Sequence, residues 1–326
     1  MELYPLKFAP VYKSRVWGGD RILTYKGLPP VENQIGESWE LSGISGSESI
    51  VSEGPLAGQT LPDLVRRFRG ALVGGHVYRT YGAAFPLLVK LLDAQRDLSV
   101  QVHPNDELAA ASQPGGRGKT EMWYVLDHDP GACLLSGLKR GLCPEELRKM
   151  AEAGTITDEL NRCEVRPGDV FFIPSGRIHA LGAGCLVAEI QQTSDITYRI
   201  YDYGRMGLDG KPRELHLDQA EKAIDYNAAT HVRTEYVREK NHQVVLADCP
   251  YFTTALYELD QSLTFYKAAW DSFLIIICTE GTGWVRTDVG AAPIRRGETL
   301  LLPACADSVS FVPDGQMTLL NSYIRN

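Results

Sequence analysis

The chain has 326 residues, of which 44% are hydrophobic and 23% charged, and a net charge of −8. That content is enough for a sizeable core and excludes a disordered chain, while the length predicts two packed units. The acidic balance excludes nucleic acid or an anionic membrane as the partner of the whole surface, but leaves room for a local cationic pocket.

In chain order, Met1 to Pro10 carries Glu2 and Lys7 among its apolar residues and has no uninterrupted apolar stretch of the secretory kind. Thr60 to Phe68 places Leu61, Leu64, Val65 and Phe68 at helical spacing, opened by a Thr60/Asp63 capping pair. Strands are predicted at Phe85 to Leu92, Leu98 to His103, Thr120 to Leu126, Asp169 to Ile173 and Leu186 to Gln192. Further strands are predicted at Phe252 to Leu259, Phe273 to Cys278, Thr299 to Leu302 and Met317 to Tyr323. Between them lie two more candidate helices, Pro144 to Ala151 and Asp218 to Tyr226. The longest proline-free apolar run, Phe273 to Cys278, is far too short to span a membrane. No strict βαβ alternation is present, which disfavours a doubly wound fold. Seven scattered cysteines with no Cys-x-x-Cys pair read as reduced thiols in a cytoplasmic protein.

The segment Arg166-Pro167-Gly168-Asp169-Val170-Phe171-Phe172-Ile173-Pro174 is echoed by Arg295-Arg296-Gly297-Glu298-Thr299-Leu300-Leu301-Leu302-Pro303. Each is a Gly turn, an acidic residue, an apolar strand and a proline stop. The pattern resembles the second motif of cupins, jelly-roll barrels that hold a metal on inward-facing side chains. His179 follows the first proline by five residues, whereas Ser308 holds that place after the second. The expected fold is therefore mainly β: two cupin-like jelly-roll β-barrels with a few peripheral helices. Only the first barrel is equipped for metal. Its unit is expected over residues 1–230 and the metal-free one over 240–326, with the charged stretch Arg233 to Lys240 as the link.

Strand parity locates the metal site. Side chains alternate, so Ser99, Gln101 and His103 are expected on one face, with Leu98, Val100 and Val102 on the other. Lys119 and Glu121 likewise share a face, with Met122, Tyr124 and Leu126 turned away. His179 arrives from the turn after Pro174. Two imidazoles, a carboxylate and an amide oxygen form a borderline-hard donor set that suits zinc better than manganese or iron. His103 read alone is equally the end of a strand whose Asn105 or Asp106 caps a following helix. His76, His128, His216, His231 and His242 are read as ordinary structural residues. Gly115-Gly116-Arg117-Gly118-Lys119-Thr120 mimics the end of a P-loop, but Gln113 stands where the earlier glycine is required and no apolar strand precedes it.

Four motifs in order then resemble type I mannose-6-phosphate isomerases, closest to the short bacterial form. They are Leu98-Ser99-Val100-Gln101-Val102-His103-Pro104-Asn105-Asp106, Gly118-Lys119-Thr120-Glu121-Met122-Trp123-Tyr124, Ile173-Pro174 with Ile178-His179-Ala180-Leu181, and Thr193-Ser194-Asp195 with Arg199. Trp17-Gly18-Gly19 and Gly36-Glu37-Ser38-Trp39 extend the match towards the N-terminus. The resemblance implies Gln101, His103, Glu121 and His179 as ligands of one zinc per chain, and Arg199 as the active-site arginine. It implies Ser99 and Lys119 at the substrate phosphate or in its pocket, and Lys90, Glu189 and Asp195 as polar pocket residues. Gln101 has a second implied role, held outside the metal's direct ligands. Longer members carry a tyrosine two residues after the last zinc histidine, where this chain has Leu181. The implied reaction interconverts mannose 6-phosphate and fructose 6-phosphate through a cis-enediol, with the general base left open among Glu189, Asp195, Lys119 and a metal-bound water. Two rival classes are a non-catalytic metal cupin that senses sugars and an iron-dependent cupin enzyme. The first has no need for Lys119 and Arg199 beside the ligands, while the second could use a similar site with iron.

Overall fold

A computed structural model describes residues 2–30 and 34–325. Among these residues, three antiparallel sheets and seven short α-helices make a mainly β molecule, as expected. Among the described residues no helix is long and apolar enough to cross a membrane.

The first barrel is two sheets face to face. Its six-stranded sheet runs Val170–Ile173, Glu121–His128, Cys185–Gln192, Leu87–Ala94, Val11–Gly19 and Ile35–Leu41. Its five-stranded sheet runs Tyr198–Tyr201, Val100–Val102, His179–Leu181, Cys133–Leu138 and Leu160–Glu164. Trp123, Val125, Phe171, Leu134 and Leu181 fill the space between the two sheets. Met122 and Tyr124, on the other face of the same strand, join a separate core. That alternation is the predicted one. Behind the five-stranded sheet, Val100, Val102 and Tyr198 pack on Leu147 and Ala220 of the helices Pro144–Ala153 and Leu217–Ala223.

Leu98 departs from the expected parity. Regular pairing begins only at Val100, so the strand covers Val100–Val102 and Leu98 is free to turn inward to the Trp123 side. The helix over Leu61–Phe68 is capped by Thr60, whose Oγ1 accepts the Asp63 N–H at 3.3 Å. Asn105 caps Asp106–Ser112 by accepting the Leu108 N–H at 2.9 Å.

The third sheet has nine strands and curls around its own core of Tyr257, Leu274, Ile276, Leu300, Phe311 and Tyr323. Its last strand, Ser308–Tyr323, begins nine residues before the predicted Met317 start. The extra length is Ser- and Pro-containing, which hides its strand character. The N-terminal strand Leu6–Ala9 also joins this sheet, pairing Leu6 with Leu301. Arg233 to Lys240 lies against the first barrel's glycine turn: the Thr234 N–H donates to Val170 O, and the Tyr236 hydroxyl donates to Gly168 O at 2.6 Å.

Candidate metal centre and cleft

Three strand positions aim metal-ligating side chains into the first barrel. Glu121 opens the Glu121–His128 strand, His179 opens His179–Leu181, and His103 follows Val100–Val102. His179 and Gln101 face each other across a strand pair, and Arg199 faces Gln101 on its other side. His103, Glu121 and His179 are all buried, with one donor atom from each within 4.8 Å of the others.

The protonation pattern favours a cation. His103 Nδ1 lies 2.9 Å from Ile196 O, and His179 Nδ1 lies 2.9 Å from Arg177 O. Carbonyls only accept, so both rings carry their proton on Nδ1 and turn a bare Nε2 inward. Those nitrogens sit 3.6 and 3.3 Å from the Glu121 carboxylate oxygens. Both His103 Nε2 and Glu121 Oε1 are buried without a hydrogen-bond partner, so facing lone pairs in this site call for a cation or a proton between them. A bound cation would satisfy all three residues at once, and two nitrogens with a carboxylate fit zinc. The Gln101 amide nitrogen lies 3.3 Å from His179 Nε2; turned over, its oxygen would face the same centre.

Electrostatics reinforce the arrangement. Burial pushes His103 well below the ordinary imidazole range and His179 down to about 4, so both are neutral and ligand-ready at pH 7. Burial raises Glu121 to about 7, although Lys119 Nζ stands 3.0 Å from its Oε2. Burial would neutralise Lys119, but Glu121 and Glu189 outweigh it and keep the amine cationic. Glu189 is also buried, yet Lys90 at 3.0 Å, Lys119 and the Trp123 indole N–H at 2.9 Å hold it down to about 2.

A cleft of about 790 Å³ opens over this cluster. It brings together Lys90, Ser99, Gln101, Lys119, Glu189, Asp195 and Arg199 from the sequence reading. His103, Glu121 and His179 lie beneath, reached through Gln101 and Lys119. Arg199 donates from Nη1 to Glu214 O at 2.8 Å, while its buried Nε has no partner. Asp195 is exposed at the cleft wall. Leu181, in the place of the longer members' tyrosine, is buried between the sheets.

Two parts of the wall escaped a functional reading of the sequence. Arg15, Trp17, Glu37 and Trp39 form one side, with Glu37 bridging Arg15 at 2.8 Å and the Trp39 indole N–H at 2.6 Å. The signal was present in Trp17-Gly18-Gly19 and Glu37-Ser38-Trp39. Gly18 is required there, because a Cβ would come within 2.4 Å of Gly36 N on the adjoining strand. The other side is the Gly207 to Glu214 loop. It has no periodicity to betray it.

Comparison with known proteins agrees with this architecture. The family model for the phosphomannose isomerase type I catalytic domain matches residues 5–132, and that for the mannose-6-phosphate isomerase cupin domain matches 242–324. The mannose-6-phosphate isomerase ManA of Bacillus subtilis is 37% identical over 93% of this chain and 94% of its own length. The Streptococcus mutans mannose-6-phosphate isomerase is 32% identical over 98% of both. A crystal structure of the mannose 6-phosphate isomerase from Bacillus subtilis superposes with a TM-score of 0.89 at 33% identity, covering 99% of this chain and all of that one. With a relative this similar over nearly its whole length, the chain is an enzyme and belongs to the type I phosphomannose isomerase family.

Proposed function

We propose that the protein interconverts mannose 6-phosphate and fructose 6-phosphate through a cis-enediol, using one zinc ion held by His103, Glu121 and His179 with Gln101 beside it. The observation that carries the reading is the pair of unprotonated imidazole nitrogens converging on the buried Glu121 carboxylate, whose Oε1 has no partner, beneath a cleft lined by Lys90, Lys119 and Arg199. Bound there, zinc would supply Lewis-acid polarisation of the sugar's oxygens. The unit over residues 1–230 would be catalytic, and that over 240–326 would have no metal role. The two separate family-model matches support this division. All seven cysteines are unpaired, which supports a reducing, cytoplasmic setting.

Roles follow from charge and access. Lys90, Lys119 and Arg199 line the cleft and suit an anionic sugar phosphate, with Ser99 offering a hydroxyl beside them. Glu189, held at about 2, is a poor base and serves as a fixed anion that positions Lys90 and Lys119. Asp195 lines the cleft with no hydrogen bond or ion pair among the described residues, so we assign it the proton transfer. It takes the proton from C2 and returns it to C1. The proton that O1 gains as the enediol forms is matched by the one that O2 gives up as the ketone forms, so the isomerisation leaves no net proton in the site. Arg199 stays cationic and presents a planar fork to the enediolate charge.

A coupled assay on mannose 6-phosphate tests the reading. The purified enzyme should lose activity on prolonged chelation and regain it with zinc. Full activity in rigorously metal-free protein would refute the metal's part in it.

A further inference from the structure

We infer that Gln191 is a positioning residue that sets the orientation of His103 through the Gln192 to Thr197 loop. This rests on the reading of His103 as a metal ligand. Gln191 sits opposite Glu121 in the register of Cys185–Gln192 with Glu121–His128, and it is fully buried. Its Nε2 donates to two backbone carbonyls, Gln192 O at 2.8 Å and Ser194 O at 2.6 Å. Both amide hydrogens are thereby spent on one turn of the chain. The reverse amide orientation would set an oxygen against two carbonyl oxygens, so the observed one is imposed. Its Oε1 is left buried without a partner.

The turn that Gln191 grips leads to the metal centre. Ser194 Oγ donates to Arg117 O at 2.8 Å and accepts the Ile196 N–H at 3.3 Å. Ile196 O then accepts from His103 Nδ1 at 2.9 Å. That last bond keeps the His103 proton on Nδ1 and its Nε2 free. Asp195 and Thr197, on the same loop, reach the cleft wall. Gln191 therefore acts on the centre through Ser194 and Ile196, without touching the imidazole. His179 is independent of this path, because its Nδ1 is held by Arg177 O. A buried amide whose oxygen is unsatisfied is costly to retain, and fixing this loop accounts for its presence.

Gln191→Met keeps the length of the side chain and removes both donors. Zinc release from the holoenzyme to a chromogenic chelator should accelerate, with zinc affinity about 10- to 100-fold weaker. In metal-free protein labelled with ¹⁵N-histidine, the His103 ring resonances should move from the Nδ1–H pattern while those of His179 stay in place. General loosening would move both rings. A milder variant, Ser194→Ala, breaks the next link and should show the same His103-selective change with a smaller loss of zinc affinity. Wild-type zinc retention and unmoved His103 resonances in folded Gln191→Met would overturn the proposal. If Gln191→Met does not fold, unaltered zinc affinity and resonances in Ser194→Ala would overturn it as well. Wild-type protein that takes up no zinc would instead sink the metal reading and this proposal with it.

Discussion

The two barrels use one turn and reach opposite interiors. At the first turn the Gly168 N–H donates to Val125 O at 2.8 Å, and at the second the Gly297 N–H donates to Cys278 O at 2.8 Å. Asp169 Oδ2 accepts the Arg166 N–H at 2.9 Å, and Glu298 Oε2 accepts the Arg295 N–H at 3.2 Å. Both glycines have positive φ, 91° and 81°, which a side chain would strain. The proline-stopped strands then pair with their neighbours in equivalent register: Ile173 faces Glu121, and Leu302 faces Leu274. Glu189, opposite Trp123 and Lys90, has its counterpart in Asn321, opposite Ile276 and Ala255. Gln101 opposite His179 becomes Tyr266 opposite Ser308 in the pairing, with the Tyr266 side chain exposed to solvent. Where the first barrel gathers ligands and lysines, the second packs the rings of Tyr257, Phe265, Trp270, Phe311 and Tyr323 against one another, with Phe311 edge-on. The turn is a device for closing a barrel, and chemistry is added by a few inward positions.

Exchanging those positions is the sharpest way to break the comparison. Glu121→Leu, which copies Leu274, should abolish metal binding and lower kcat by more than about 10³-fold while the barrel still folds. Metal content, circular dichroism and activity on one preparation check it. The reverse change, Leu274→Glu, buries a carboxylate with no cation and should destabilise the protein on the order of 3–5 kcal/mol, read from urea unfolding.

Smaller effects probe the cleft. Arg199→Ala should lower kcat about 10²–10³-fold with metal content unchanged, and lysine should restore only part, since it lacks the fork. A near-normal kcat would remove Arg199 from the chemistry. Lys119→Ala removes a charge-assisted contact of roughly 1.5–3 kcal/mol, so kcat/KM should fall about 10- to 150-fold. Unchanged values would show that Lys119 serves only to balance Glu121.

The mildest test is pH. Metal-free Glu121 holds its proton up to about pH 7, whereas His179 is already neutral above about 4. Zinc must displace the carboxyl proton below that point, so affinity should rise with pH to about 7 and flatten above it. The same shifts set opposing stability terms in metal-free protein. The depressed His179 adds stability as pH rises from about 4 to 6.5, and the raised Glu121 removes it from about 4.5 to 7. A zinc-binding curve that rises by two protons around 6.5 would assign the competition to the histidines instead.

Much of this was legible in the residues because it is carried by short-range rules. Alternation at Glu121, Met122, Trp123 and Tyr124 separates the site face from the core face, and the Gly-Asp turn repeats within the chain. The Thr60 and Asn105 caps were readable for the same reason. Leu98 was misplaced because alternation holds only where pairing is regular, and pairing starts at Val100. The Leu6–Ala9 strand was missed because its partner, Leu301, lies almost the whole chain away. The Gly207 to Glu214 loop reaches the cleft by tertiary placement, which no local pattern encodes. The hold of Gln191 on Ser194 is visible only in the folded loop.

Anomalous X-ray scattering at the zinc edge tests the central claim most directly. One peak per chain is predicted, among His103 Nε2, Glu121 and His179 Nε2, with none between Tyr266, Leu274 and Ser308. A first barrel without a peak in fully active, zinc-supplied crystals, or a peak in the second barrel, would contradict the division of labour between the two.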